Sequence, residues 1–231
     1  MKHGFFTVAS AIPSVRVADV QYNVNEMEAM IAQAEGQGVE VIVFPELSLT
    51  GYTCGDLFLQ DSLLKRALEE LAALVSETRE LNALIFVGLP FAHAGRLYNV
   101  AAAFSGGKLL GLIPKIHIPN YGEFYEARNF VSGRELAPGT VAEIGGMRVP
   151  FSERLLFRCQ EMPEVTIGVE ICEDLWAPDP PSTYLALSGA TVIVNPSASN
   201  EITGKDVYRR SLVANQSARL LCGYVYACAG E

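Results

Sequence analysis

At 231 residues the chain has room for one large domain or two small ones. Half of its residues are hydrophobic, 19% are charged and the mean hydropathy is +0.23, which excludes disordered, collagen-like and coiled-coil chains. A formal net charge of -9 argues against a nucleic-acid partner, because affinity for phosphate backbones rests on Lys and Arg.

No run approaches the roughly 18 uninterrupted apolar residues that cross a bilayer, so no membrane partner is expected. Lys2 followed by the apolar stretch from Gly4 to Ile12, with Ala9, Ser10 and Ala11 behind it, imitates a secretory leader. Thr7 and Ser10 interrupt that stretch, and a buried first strand ending at Pro13 is the better reading. The five cysteines are odd in number and contain no CxxC pair, so neither a disulfide framework nor a zinc ligand set is expected. That usage fits a reducing cytoplasm.

Asn25 can cap a helix carrying Met27, Met30, Ile31 and Ala34 on one stripe, stopped by Gly36 and Gly38. Val39 to Phe44 reads as a buried strand. Asp61 or Ser62 caps a second helix with Leu64, Leu68, Leu71, Ala72 and Val75 facing inward, and Ala83 to Gly88 is the next β-rich run. Leu97 to Phe104, a Ser105-Gly106-Gly107 turn and Leu109 to Ile113 predict an antiparallel hairpin. An irregular stretch follows from Pro114 to Gly133. Further strands are expected at Leu155 to Phe157, Val165 to Ile171, Thr191 to Asn195 and Tyr224 to Ala227, with helices near Ser182 to Ser188 and Asp206 to Leu221. No linker separates the two halves, which predicts one domain over 1–231, an α/β sandwich of mixed sheets with helices outside.

Open α/β sheets place ligands just beyond strand ends, and three polar segments stand there. In Phe44-Pro45-Glu46 a carboxylate follows an apolar strand; taken alone it reads first as a solvated loop residue. In Pro114-Lys115-Ile116-His117 a lysine sits among apolar neighbours, with Glu123 and Glu126 as candidate acidic partners. His117 reads as a structural histidine. In Ile171-Cys172-Glu173-Asp174 a β-branched run stops at a cysteine, either a small core residue or a nucleophile on a strand-to-turn corner. Cys54, Cys159, Cys222 and Cys228 read as packing residues.

Together the three make a chemical set. An ammonium from Lys115 would lower the Cys172 thiol pKa and, with the backbone N–H after Cys172, stabilise an oxyanion. Glu46 would carry protons between thiol, departing amine and water. A Cys–His arrangement is the competitor, but His3 and His93 lie in unpromising contexts.

The order FPELSLTGY, PKIHIPNYGEFYE and GVEICEDLW resembles the nitrilase superfamily of carbon-nitrogen hydrolases. The resemblance spans nearly the whole chain. It implies a four-layer αββα sandwich and a Glu-Lys-Cys triad falling on Glu46, Lys115 and Cys172. The segments FPELSLTGYTCGDLF, NYGEFYEARNF, CEDLWAPDPPSTYLALSGA and NPSASNEITGK resemble one branch, the N-terminal glutaminase domains of glutamine-dependent NAD synthetases. By that resemblance Tyr121, Glu173 and Ser199 hold the α-amino and α-carboxylate ends of glutamine, Tyr52 and Trp176 line the pocket, and Glu126 positions Lys115. It also implies glutamine as substrate, no cofactor for the glutaminase step, and a C-terminal synthetase domain using ATP and magnesium. A homo-oligomer is implied too.

The phosphate-cradling SGGxDS element of that second domain is not present, since Ser105-Gly106-Gly107 runs into Lys108, Leu109 and Leu110. The chain also stops at Glu231 directly after a strand, which suggests a glutaminase domain incomplete at its C-terminal end. A stand-alone amidase or carbamoyl hydrolase of the same superfamily, and a catalytically silent assembly domain, are the alternatives.

Overall fold

The computed structural model describes residues 4–230, so Lys2, His3 and Glu231 lie outside the described residues. The first half builds one sheet from β1 (Val8–Ser10), β2 (Val41–Val43), β3 (Leu84–His93), β4 (Arg96–Ser105) and β5 (Lys108–Pro114), in that spatial order. β1, β2 and β3 pair in parallel, and β4 and β5 complete an antiparallel meander. After a small β6–β7 hairpin (Val141–Ile144 and Met147–Pro150), the second half builds another sheet. It runs in the order β11 (Gly223–Cys228), β10 (Val192–Ser197), β9 (Thr166–Val169), β8 (Leu156–Arg158). β9, β10 and β11 are parallel.

Because side chains alternate across a strand, each sheet offers two apolar faces and must be covered twice. The inner faces meet each other: Val41, Val43, Phe86, Ala101, Ala103 and Ile113 pack against Ile167, Val169, Val192 and Val194. On the outside of the first sheet, α1 (Val20–Gly36) and α2 (Asp61–Glu77) bury Met27, Ile31, Leu71, Leu74 and Val75 over Ile42, Phe44, Ile85 and Phe104. On the outside of the second lie α3 (Pro181–Leu187) and α4 (Lys205–Leu220), with Leu185 against Ile193. The result is helix, sheet, sheet, helix.

Several sequence expectations shift. α1 begins at Val20, five residues before Asn25, capped by Asp19, whose carboxylate accepts from Tyr22 N at 3.2 Å. The β-branched Val20 and Val24 hide this start, yet both are buried. The cap of α2 is Gln60, not Asp61 or Ser62. β3 continues five residues past Gly88 because it turns tightly into β4 through Ala94 and Gly95, both at positive φ. The Gly145-Gly146 turn of the β6–β7 hairpin was a readable signal of the same kind.

One close approach governs where the first candidate residue stands. A Cβ on Gly88 would lie 2.2 Å from Leu47 N and 2.7 Å from Pro45 O, so β3 passes directly beneath the turn that carries Glu46. The turn is pinned there by Leu49 N to Gly88 O at 3.0 Å, and Gly88 N donates to Ser48 Oγ at 3.2 Å. Gly88→Ala is therefore expected to lift this turn off the strand, destabilising the fold by ~1–3 kcal/mol as overpacked cores do. Thermal melting checks this, and an unchanged midpoint would contradict it.

Candidate active site

β2 and β5 run the same way in the first sheet, and β9 and β10 end at the same rim of the sandwich. The chain leaves β2 through Phe44 and Pro45 to Glu46, leaves β5 directly into Lys115, and leaves β9 through Glu170 and Ile171 to Cys172. Lys115, at 1% exposure, is a fully buried ammonium, and Glu46 and Glu126 are buried beside it. Its Nζ donates to Glu46 Oε1 and to Glu126 Oε1, each at 2.6 Å. Of the two acidic candidates after Lys115, Glu126 is the one that meets it. Glu123 is exposed and accepts from Asn200 instead.

Burial alone would drive the Lys115 ammonium toward neutrality, but the charges of Glu46 and Glu126 outweigh it and hold its pKa well above the usual lysine range. Glu126 is pushed up by burial, against the pull of Lys115. Two neutral donors share the work of the cation. Asn99 Nδ2, from β4, donates to Glu46 Oε1 at 2.7 Å and reaches Glu126 Oε2 at 3.5 Å. Tyr52 donates its phenol to Glu126 Oε1 at 2.7 Å, so Tyr52 meets the acidic partner of Lys115.

Cys172 sits in the left-handed region at φ +46 and opens a single 3-10 turn, Cys172–Leu175. Its thiol stands by the Ser197 side chain and the Ala198 main chain, and the Ala198 N–H donates to Glu46 Oε2 at 3.0 Å. Cys172 and Glu46 thus share one neighbour from the end of β10. The structure corrects one expectation here. Burial first and the Glu46 charge second push the thiol well above its ordinary value, and Lys115 only partly offsets them. The ammonium cannot make a standing thiolate because it is already held between two carboxylates.

A third carboxylate fastens the two sheets together. Asp174, 1% exposed, accepts from Ile116 N at 3.1 Å, His117 N at 2.7 Å and Ile171 N at 2.9 Å, tying the lysine segment to the cysteine turn. Burial pushes its carboxyl up to about 8, opposed by the Ile171 and His117 amides. His117 itself turns its Nε2 to Asp179 O at 3.0 Å.

The remaining candidates lie on an outer rim. Tyr121 donates to Glu173 Oε1 at 2.8 Å, and burial followed by this hydrogen bond pushes the phenol up to about 12. Trp176 packs on Tyr208 at a 34° tilt with 5.6 Å between centroids and lies 4.9 Å beneath the Lys205 ammonium. Ser199 follows β10 and is buried, with its carbonyl accepting from Cys228 Sγ at 3.6 Å. Asn99, Asp174 and the Ala198 N–H escaped the sequence reading. The only sequence hint for Asn99 is one amide inside the apolar run LYNVAAAF, and for Asp174 its place in a doublet that reads as a solvated turn. Among the described residues no group of three or more His, Cys, Asp or Glu is arranged to hold a metal ion, and no helix is long and apolar enough to cross a membrane.

Residues 7–229 match the model of the carbon-nitrogen hydrolase family. The chain is 41% identical over 230 residues to the glutamine-dependent NAD(+) synthetase of Mycobacterium tuberculosis H37Rv, covering all of this chain and 34% of that protein. It is 33% identical over 210 residues to the synthetase of Aquifex aeolicus, covering 91% of this chain and 33% of the relative. The chain therefore spans about a third of the length of these curated relatives. The crystal structure of a glutamine-dependent NAD(+) synthetase from Cytophaga hutchinsonii superposes with a TM-score of 0.83 at 30% identity, over 97% of this chain and 36% of that one. An amidase from Nesterenkonia sp. shares the fold, with a TM-score of 0.75 at 18% identity over 99% of this chain and 78% of that one. With the four-layer sandwich and a match over almost its full length, the chain belongs to the carbon-nitrogen hydrolase family.

Proposed function

We propose that this chain is a glutamine amidohydrolase unit, which hydrolyses glutamine to glutamate and ammonia through a Cys172 thioester. The observation that carries the reading is the buried Lys115 ammonium clamped between Glu46 and Glu126 at the Cys172 turn. Identity of 41% to a glutamine-dependent synthetase supports glutamine over other amides, whereas likeness to the amidase is one of fold. Within a longer protein the ammonia would pass to a synthetase domain that uses ATP and magnesium to amidate nicotinate adenine dinucleotide. The glutaminase step itself calls on no cofactor. The setting we propose is a cytoplasmic homo-oligomer.

The hydrogen-bond count supports a division of roles. A lysine ammonium has three donors, and two are held by Glu46 and Glu126, so the third is left for a substrate oxygen. A carboxylate offers about four acceptor sites. Lys115, Asn99 and Ala198 take three on Glu46, leaving one to receive a proton. Since burial and the Glu46 charge hold the Cys172 thiol pKa high, Glu46 takes its proton as sulfur attacks the carboxamide carbon. The carbonyl oxygen becomes an oxyanion facing Lys115 Nζ and the Glu173 N–H, a first-turn amide with no partner inside its helical turn. Glu46 returns the proton to nitrogen, the C–N bond breaks and ammonia departs. Water then attacks the thioester with Glu46 as base, the S–C bond breaks, and glutamate and the thiol are restored. At the rim, Glu173 suits an α-ammonium and Tyr121 and Ser199 supply hydroxyls for an α-carboxylate. Tyr121 and Glu173 are bonded to one another here and would part to admit the ligand.

The reading is tested by mixing the chain with glutamine and measuring glutamate, ammonia and, by mass spectrometry of the quenched protein, acylation on Cys172. Cys172→Ala is expected to abolish all three; glutamate release surviving that substitution would overturn the proposal. Glu46→Gln separates proton transfer from nucleophile charge. Turnover is expected to fall by about 10²–10⁴-fold, the usual contribution of a general base. Removing the charge that raises the thiol pKa, by contrast, should speed alkylation of Cys172 by iodoacetamide at neutral pH. Parallel loss of both rates would contradict this division of labour. Lys115→Met leaves two buried carboxylates without their cation and is expected to destabilise the fold by ~3–5 kcal/mol, read by denaturant unfolding.

A further inference from the structure

Behind the Cys172 turn lies a second buried carboxylate that the reaction does not use. Glu170, 1% exposed, directly follows β9, two residues before Cys172. Among the described residues its hydrogen-bond partners include no cation. Its Oε1 accepts from Tyr224 OH at 2.6 Å and its Oε2 from Ser182 N at 2.8 Å. Tyr224 OH in turn accepts from Asn195 Nδ2 at 3.0 Å, and Asn195 Oδ1 accepts the Cys172 N–H at 3.0 Å. Gln216 from α4 closes the far end by donating to Ser182 Oγ at 2.9 Å.

We propose that Glu170, Tyr224 and Asn195 form a positioning relay that holds the main chain of Cys172 in the left-handed conformation from which its thiol meets Glu46 and Lys115. The direction of every bond supports this. The single O–H of Tyr224 points toward Glu170, to which it donates. Only lone pairs then remain on the phenol for Asn195, which forces the amide NH2 of Asn195 to that side. Its carbonyl is thereby turned to the Cys172 N–H. A non-glycine residue at φ +46 is strained and persists only where its surroundings over-determine it. Here the restraint starts at Glu170 and crosses from β9 through β11 to β10 before it returns to the nucleophile. Burial pushes the Glu170 carboxyl up, while Tyr224 and the Ser182 amide draw it back. A bare carboxylate in an interior is a poor stabiliser of a fold, so its place beside the cysteine turn asks for a function.

The inference rests on Cys172 being the nucleophile, and the experiment keeps the two apart. In the full chain, glutamine hydrolysis and the rate of iodoacetamide alkylation at Cys172 are measured for Tyr224→Phe, Glu170→Gln and the double variant, with thermal melting as the control for folding. Each single variant is expected to lose about ten-fold in kcat and in alkylation rate with KM within about two-fold, since a small misplacement of a reacting group is costly. Because both changes break one relay, the double variant should be no slower than the slower single. If a folded single variant keeps the parent kcat and alkylation rate, or if the losses multiply in the double, the relay is wrong. Should one variant fail to melt cooperatively, the other carries the test on its own kcat and KM. If Cys172→Ala leaves hydrolysis intact, it is the nucleophile assignment that falls.

Discussion

A single ammonium with no access to water organises this site. Lys115 is tolerated in the interior only because Glu46 and Glu126 each contribute a carboxylate oxygen at 2.6 Å, and those carboxylates are tolerated only because Lys115 is there. Two acids against one base would still leave excess negative charge, and neutral donors from Asn99, Tyr52 and the Ala198 amide absorb it. The same arrangement bears on the thiol: burial and the charge of Glu46 hold the Cys172 pKa high, and a lysine already engaged by two carboxylates only partly offsets them.

The groups are drawn from both sheets. Glu46, Lys115 and Asn99 come from the first, and Cys172, Asn195 and Ala198 from the second. Asp174 spans the seam, its carboxylate held by Ile116 and His117 on one side and Ile171 on the other. Cross-sheet packing of Phe86, Ile113, Val169 and Val194 brings the layers together, and the Asp174 contacts set their register at the rim. Gly88 does the matching service within the first sheet by letting the Glu46 turn rest on β3.

Much of this was legible in the residues. Buried strands such as Val39 to Phe44 and Thr191 to Asn195 announce themselves as apolar β-branched runs, and the polar residues just past them marked three of the site segments. Less legible were features whose meaning lies in tertiary contact. Asp19 does not announce itself as a cap because the β-branched Val20 that follows it does not look like the start of a helix. Asn99, Glu170 and Asn195 are single polar residues in apolar surroundings, and only the packed sheets show which partners they face. The direction of the Cys172 pKa shift was likewise beyond reach, because adjacency to a lysine says nothing of which other charges that lysine already serves.

The Asp174 bridge makes the constellation a property of the docked sandwich rather than of either layer. While the two sheets stand apart, the Cys172 turn has neither Glu46 nor Lys115 beside it, and neither sheet alone carries the full set of groups.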